Sequence, residues 1–249
     1  MSNYYIASCS CGKDSMAMVC RLIEEDKPCD EIVFYDTGME FKAIYKNWSA
    51  LQKYATERKI KCTTLKPECD FLWKMLHKPV NVGKPNEHKG YSWCGGVCRW
   101  GTTEKLKSLD KYAEEKNAIV YVGIAADETA RLQKERKPYK RFPLAEWGMT
   151  EAECLSYCRS KGIHWREPTK VCGAIDLYDI LDRVSCWCCG NKNLWELYNL
   201  WKYLYDDYWC RLRYLQFCNK RPFKSKYTIF DLEEKFNNGY IPKRRNPLR

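Results

Sequence analysis

Four short runs rich in apolar and β-branched residues, Tyr4–Ser8, Glu31–Tyr35, Lys61–Leu65 and Ala118–Val122, alternate with longer stretches whose apolar residues recur every three to four positions, over residues 15–25, 41–58 and 102–115. That alternation predicts strand–helix–strand crossovers and an α/β fold with a doubly wound, mostly parallel, Rossmann-like sheet. Ligands of such sheets sit beyond the carboxyl ends of the strands. Chemistry is therefore expected in the segments that follow each run.

Further along, residues 78–92 are turn-rich and charged, and long enough for a functional loop or lid. Thr150 with Glu153 forms a capping-box pattern that opens a helix to about residue 161. Asn193 with Glu196 opens a long helix through about residue 219, rich in Trp, Tyr and Leu, and Thr228 with Asp231 opens a short one. The chain of 249 residues thus divides into an α/β domain over 1–190 and a helical C-terminal appendage over 191–249, with a basic tail at Lys243, Arg244 and Arg245.

No apolar run is long enough to cross a bilayer, and the first residues lack the basic and apolar regions of a signal peptide, so a cytoplasmic protein without a membrane partner is expected. Forty-three Lys and Arg against 32 Asp and Glu leave a net charge of +11. Such a balance favours polyanionic partners such as nucleotides, RNA or DNA. In this context the sixteen cysteines point to metal binding, redox chemistry or packing rather than to a disulfide framework.

The first run is followed by Ser8-Cys9-Ser10-Cys11-Gly12-Lys13-Asp14-Ser15 and then directly by a helical pattern. Small residues at a helix N-terminus expose backbone N–H groups to the positive end of the dipole, which suits a phosphate. Gly12 allows close approach, Ser10 and Ser15 offer hydroxyls, and Lys13 adds a charge. The same residues also fit a plain helix cap by Asp14 or Ser15 with a solvated Lys13. Asp36-Thr37-Gly38 after the second run reads either as a ligand loop or as a strand-ending turn. Arg131, Lys134 and Arg136 form a phosphate grip or an exposed basic face.

These residues carry a resemblance. Ser-x-Gly-Lys-Asp-Ser resembles the phosphate loop of PP-loop ATP pyrophosphatases, and residues 35–41 resemble the Asp-Thr-Gly segment of phosphoadenylylsulfate (PAPS) reductases. Residues 123–131 are similar to that family's Gly-x-Arg-x-Asp-Glu loop. The resemblance, in order and covering about two-thirds of the chain, implies an adenine nucleotide alpha-hydrolase-like fold. It places Ser8, Ser10, Gly12, Lys13, Asp14 and Ser15 around the phosphates of ATP, Asp36, Thr37 and Gly38 near the nucleoside, and Gly123 and Arg131 at the same ligand. Lys13, Asp14 and Asp127 become the catalytic set, with Asp14 and Asp127 holding Mg²⁺ through water. Cys11 stands where the family has Gly, a substitution that a positive φ would resist. Lys13 is kept as in ATP-cleaving members, which favours ATP as the nucleotide.

Two cysteine clusters, Cys94 with Cys98 and Cys186-Trp187-Cys188-Cys189, each place thiols within about one turn of chain, as ligands of Zn²⁺ or an iron–sulfur cluster do. Their spacing resembles the split arrangement of iron–sulfur adenylylsulfate (APS) reductases, with three residues separating the first pair. Soft thiolates suit both metals. The resemblance to APS reductases and PP-loop thiolation enzymes favours [4Fe–4S] held by Cys94, Cys98, Cys186 and Cys189, with Cys172 or Cys188 as alternatives to Cys94. Cys9, Cys20, Cys29, Cys62, Cys69, Cys154, Cys158, Cys210 and Cys218 are expected in the core or on helix faces. His77, His88 and His164 show no paired spacing.

Trp187, Trp195, Trp201 and Trp209 with Tyr198, Tyr203, Tyr205 and Tyr208 fit either base stacking beside Arg211 and Arg213, or packing on the sheet domain or in a homodimer. No cysteine follows Cys218, where sulfonucleotide reductases carry a catalytic one. The expected activity is ATP-dependent adenylylation of an acceptor, tRNA or DNA, for sulfur transfer with a sulfur-donor protein. The alternatives are APS or PAPS reduction and a non-catalytic nucleotide- or nucleic-acid-binding module.

Overall fold

The computed structural model describes residues 3–134, 137–219 and 221–244, and for residues 99 and 100 the backbone alone. Arg136 and Arg245 lie outside the described residues. The four apolar runs form β1 (Tyr4–Ser8), β2 (Glu31–Tyr35), β3 (Lys61–Leu65) and, after a small hairpin of β4 (Pro79–Val80) and β5 (His88–Lys89), β6 (Ala118–Val122). A fifth sheet strand, β7 (Lys140–Arg141), had no sequence signal because it is two charged residues long. A second hairpin joins β8 (Arg166–Thr169) to β9 (Gly173–Asp176). The main sheet runs β3-β2-β1-β6-β7 and every pairing in it is parallel.

Helices cover both faces of the sheet. In chain order they are α1 (Lys13–Glu24), α2 (Lys42–Thr56), α3 (Phe71–Leu76), α4 (Glu104–Glu115), α5 (Thr129–Leu132), α6 (Pro143–Glu146), α7 (Glu151–Ser160), α8 (Leu177–Ile180), α9 (Leu194–Tyr203), α10 (Cys210–Phe217) and α11 (Ile229–Asn237). Ile6, Val33 and Val120 turn toward Ala113 of α4, whereas Ala7, Ile32 and Phe34 turn toward α1 and α2, the period-two alternation of a pleated strand. The α1 side grows into the larger core, which continues without a break through Leu197, Trp209, Leu212 and Phe236.

Capping boxes form at Thr150, Asn193 and Thr228, with Glu153, Glu196 and Asp231 as their partners. The long helix expected over 193–219 is broken instead. Leu204 leaves helical geometry (φ −125°, ψ 37°) and a π-helical turn, Tyr205–Trp209, precedes α10. The break buries Tyr208 and Trp209. It also lets Tyr208 Oη donate to buried Glu167 at 2.9 Å while accepting the Lys42 N–H at 2.9 Å. The strand order reverses direction at β1, so the crevice between the carboxyl ends of β1 and β6 is the topological switch point.

Candidate functional site

At that crevice the chain leaves β1 at Ser8, paired across the sheet with Val33 and Val122, and turns through Cys9 to Gly12 into α1. Cys11 holds φ = 56°. The left-handed region costs a residue with a Cβ about 1–2 kcal/mol, so surrounding contacts must hold it. Trp165 Nε1 donates to the Cys11 carbonyl at 2.7 Å, and the Lys13 N–H donates to Tyr178 Oη at 2.8 Å. Those two rings pack edge to face at 4.8 Å. Gly12 at the N-cap carries no side chain to cap α1. The first turn of α1 beyond Lys13 thus has no side-chain cap, and uncapped amides at a helix N-terminus can donate to an anion. Ser15 Oγ accepts the Ser10 N–H at 3.1 Å and lies 3.1 Å from Ser10 Oγ. Gly123 lets β6 press against this turn: a Cβ there would stand 3.0 Å from Ser15 N and Cα.

Lys13 is buried, and its Nζ pairs with Asp14 at 2.7 Å and Glu151 at 3.1 Å. Burial works to lower its pKa, but the two carboxylates outweigh burial and raise it. Burial raises the pKa of Asp14, Lys13 opposes this, and Glu151 and Glu128 add to the rise. Carboxylate oxygens of Asp14, Glu128 and Glu151 lie within 4.8 Å of one another. Crowded acidic oxygens beside a phosphate turn suit a hard divalent cation such as Mg²⁺. Asp127 is not part of this group: its Oδ1 accepts the Glu151 N–H at 3.0 Å and so seats α7. Arg131 pairs with Glu128 at 2.5 Å, and Lys134 is exposed. A cleft of about 390 Å³ runs from Gly12, Lys13 and Asp14 past Gly123 and Arg131 to Arg183, Ser185 and Lys192.

A second cavity, of about 330 Å³, adjoins it and shares Ser10, Thr102, Val184, Ser185 and Cys189 with the cleft. Its wall brings together all four sequence-chosen cysteines, Cys94, Cys98, Cys186 and Cys189, and adds Cys188. The two cysteine segments meet because Gly190 has no side chain; a Cβ there would stand 2.3 Å from the Cys94 carbonyl oxygen. Cys98 caps the π-helical turn Arg99–Thr103, accepting the Gly101 N–H at 3.2 Å. Burial, with Glu40 beside it, pushes the Cys186 thiol well up, and burial also raises the pKa of Cys188 and of Glu40 itself. Cys186 donates to Glu40 Oε1 at 3.7 Å, and Thr37 Oγ1 donates to the same oxygen at 3.0 Å.

Among the described residues no three cysteine sulfurs lie within 4.8 Å of one another. Thiolates around a tetrahedral zinc at 2.3 Å stand about 3.8 Å apart. The five cysteines line one cavity without forming a preassembled tetrahedral set.

Thr37 faces the cysteine cavity, whereas Asp36 Oδ1 accepts the Gly38 N–H and the Tyr45 hydroxyl, both at 2.8 Å. Gly38 holds φ = 76°, as a strand-ending turn requires. Cys172 sits exposed between β8 and β9, off the cavity wall. Cys69 is exposed outside any helix, neither in the core nor on a helix face, and Cys218 is exposed at the end of α10. Trp187, Trp209 and Tyr208 are core residues, and Trp201 and Tyr198 pack on Phe236. Glu128 and Glu40 lie inside loops that the sequence singles out but were given no role there; missed altogether were Glu151, Tyr178 and Lys192, which reach the site from separate segments.

The family model of the phosphoadenosine phosphosulfate reductase domain matches residues 4–167. The chain belongs to that family. In this reductase-domain protein the matched segment holds the phosphate turn, the loops after β2 and β6, and Glu151, whereas Tyr178, the second cysteine cluster and Lys192 lie beyond it. An uncharacterised protein of Methanocaldococcus jannaschii is 27% identical over 224 residues, 80% of this chain. The chain spans about half, 47%, of that relative's length. Among solved structures, the U34-tRNA thiolase NcsA from Methanococcus maripaludis with its [4Fe-4S] cluster is similar at 15% identity and a TM-score of 0.43, over 65% of this chain and 57% of that one. No helix among the described residues is long and apolar enough to cross a membrane.

Proposed function

We propose that this protein uses ATP to adenylylate an acceptor, a nucleic acid, and so opens it to substitution by sulfur. The observation that carries the reading is the shared wall: a phosphate-type cleft and a cavity lined by five cysteines meet at Ser10, Thr102, Val184, Ser185 and Cys189. The amides of Asp14 and Ser15, with Lys13, bind the phosphates. Asp14, Glu128 and Glu151 are the oxygen donors for Mg²⁺, in place of the pair Asp14 and Asp127.

An acceptor oxygen attacks the α-phosphorus, and the bond from phosphorus to the bridging oxygen breaks. Pyrophosphate leaves with the bonding pair, and any acceptor proton passes to solvent. Lys13 stabilises charge growing on the leaving group, a role that needs no protein nucleophile. Sulfide, free or brought by a sulfur-donor protein, then attacks the carbon that carries the adenylylated oxygen and AMP departs. The soft donors Cys94, Cys98, Cys186 and Cys189 fit a [4Fe–4S] cluster, which would supply a sulfur-binding position beside the cleft. The +11 charge supports a polyanionic acceptor, whose binding should weaken steeply with added salt.

The test is pyrophosphate release from ATP and Mg²⁺ with RNA or DNA and sulfide, using protein purified without oxygen and assayed for iron, sulfide and zinc. Acceptor-dependent release, sulfur in the nucleic acid and iron in the protein are expected. ATP binding without release for any acceptor would reduce the protein to a nucleotide-binding module. Reduction of APS or PAPS, the reading favoured by the family model itself, would instead give sulfite with a dithiol and no ATP consumption.

A further inference from the structure

We propose that Lys192 is an anion-binding residue of the phosphate cleft, taking a phosphoryl group of the nucleotide on the wall formed by the segment after α8. The identity of its ligand rests on the nucleotide reading above. Lys192 precedes the Asn193 cap of α9 and is 2% exposed, yet it stands on the cleft wall. Its Nζ lies 3.4 Å from Ser185 Oγ and 5.3 Å from the centroid of the Phe41 ring. Among the described residues no carboxylate oxygen comes within the 4.0 Å of an ion pair.

Burying an ammonium without a counter-charge is expensive, and one aromatic face offsets only part of the cost. Lys74 shows the ordinary solution in this same fold: buried to 5% exposure, it is paired with Glu104. The other buried lysine of the cleft, Lys13, has counter-charges in Asp14 and Glu151 before any ligand arrives, and Arg131 is paired with Glu128. Lys192 is thus the buried cation whose partner the cleft itself must bring. Its charge also reaches the Cys188 thiol in the adjoining cavity, so a role confined to the cysteines is the rival to exclude.

Calorimetric titrations of inorganic pyrophosphate, adenosine and ATP–Mg²⁺ into wild type and Lys192→Met decide between them, since methionine keeps the buried volume and removes the charge. Pyrophosphate affinity at least tenfold weaker in the variant, with adenosine affinity unchanged, is expected. Equal pyrophosphate affinity in the two proteins overturns the proposal and leaves the nucleotide reading standing if ATP still binds. Lys192-dependent binding of pyrophosphate without any binding of ATP keeps the anion site and removes the nucleotide reading. Should the variant fail to fold, the Lys192 ε-methylene resonance of the ¹³C-lysine-labelled wild type is read instead: a shift on adding pyrophosphate supports the proposal, and a resonance that does not move overturns it.

Discussion

The cleft beside α1 and the cavity beneath Cys94 share one wall and solve opposite problems. In the cleft, charge is kept: Lys13 stays protonated between two carboxylates, three acidic oxygens crowd together, and α1 has no side-chain cap. In the cavity, acidic charge is suppressed: burial raises the pKa of Cys186, Cys188 and Glu40, with Phe71, Met75 and Trp93 on the same wall and Lys105 as its cation. The first suits a ligand that arrives with phosphates and a hard cation, the second a soft metal that displaces protons from sulfur. The difference teaches that two adjacent sites can differ in electrostatics although residues 183–192 serve both and Ser10, Thr102, Ser185 and Cys189 stand on the shared wall.

Substitutions should therefore separate the two sites. Lys13→Ala should lower pyrophosphate release by about 10²–10³-fold while leaving iron per chain unchanged; if both fall together, the sites are not independent. Gly190→Ala places a Cβ 2.3 Å from the Cys94 carbonyl oxygen and should work the other way. Denaturant melts should show a loss of about 2–3 kcal/mol, and metal analysis a loss of iron, with ATP affinity little changed.

Glu31 supplies a control remote from both sites. Burial alone would raise its pKa, but Thr63, Tyr112, Lys61 and Tyr4 bond to the carboxylate and bring it down to about 2. A folded-state value below the unfolded one stabilises above the unfolded pKa, and that stability is lost as pH falls from about 4.5 toward 2. Thermal melts should lose about 2 kcal/mol across that window, and Glu31→Gln should flatten the dependence without distinguishing the two sites. The smallest effect is expected at Cys11. Glycine relieves φ = 56° but surrenders a buried thiol, so Cys11→Gly should change stability by less than about 1 kcal/mol.

The central strands were legible in the sequence because strands of a covered parallel sheet are short apolar runs, and all five residues of β2 are buried. The capping boxes were legible because each is complete within four residues. The break at Leu204 was not, since Tyr208 and Trp209 fit a continuous helix equally well until Glu167, from a distant hairpin, claims the Tyr208 hydroxyl. The phosphate turn and the four cysteines were found from local spacing. Glu128, Glu151 and Lys192 were not, because their roles exist only once the loop after β6, the start of α7 and the segment before α9 converge. A lysine between two asparagines reads as solvated until the fold buries it.

The central claim, that the turn into α1 grips the phosphates of ATP, is tested most directly by calorimetric titration of ATP–Mg²⁺ into wild type, Lys13→Ala and Cys186→Ser. One saturable site per chain is predicted, weakened at least tenfold by the lysine substitution and unaffected by the cysteine one. No heat with wild type, or equal affinity in wild type and Lys13→Ala, would contradict it.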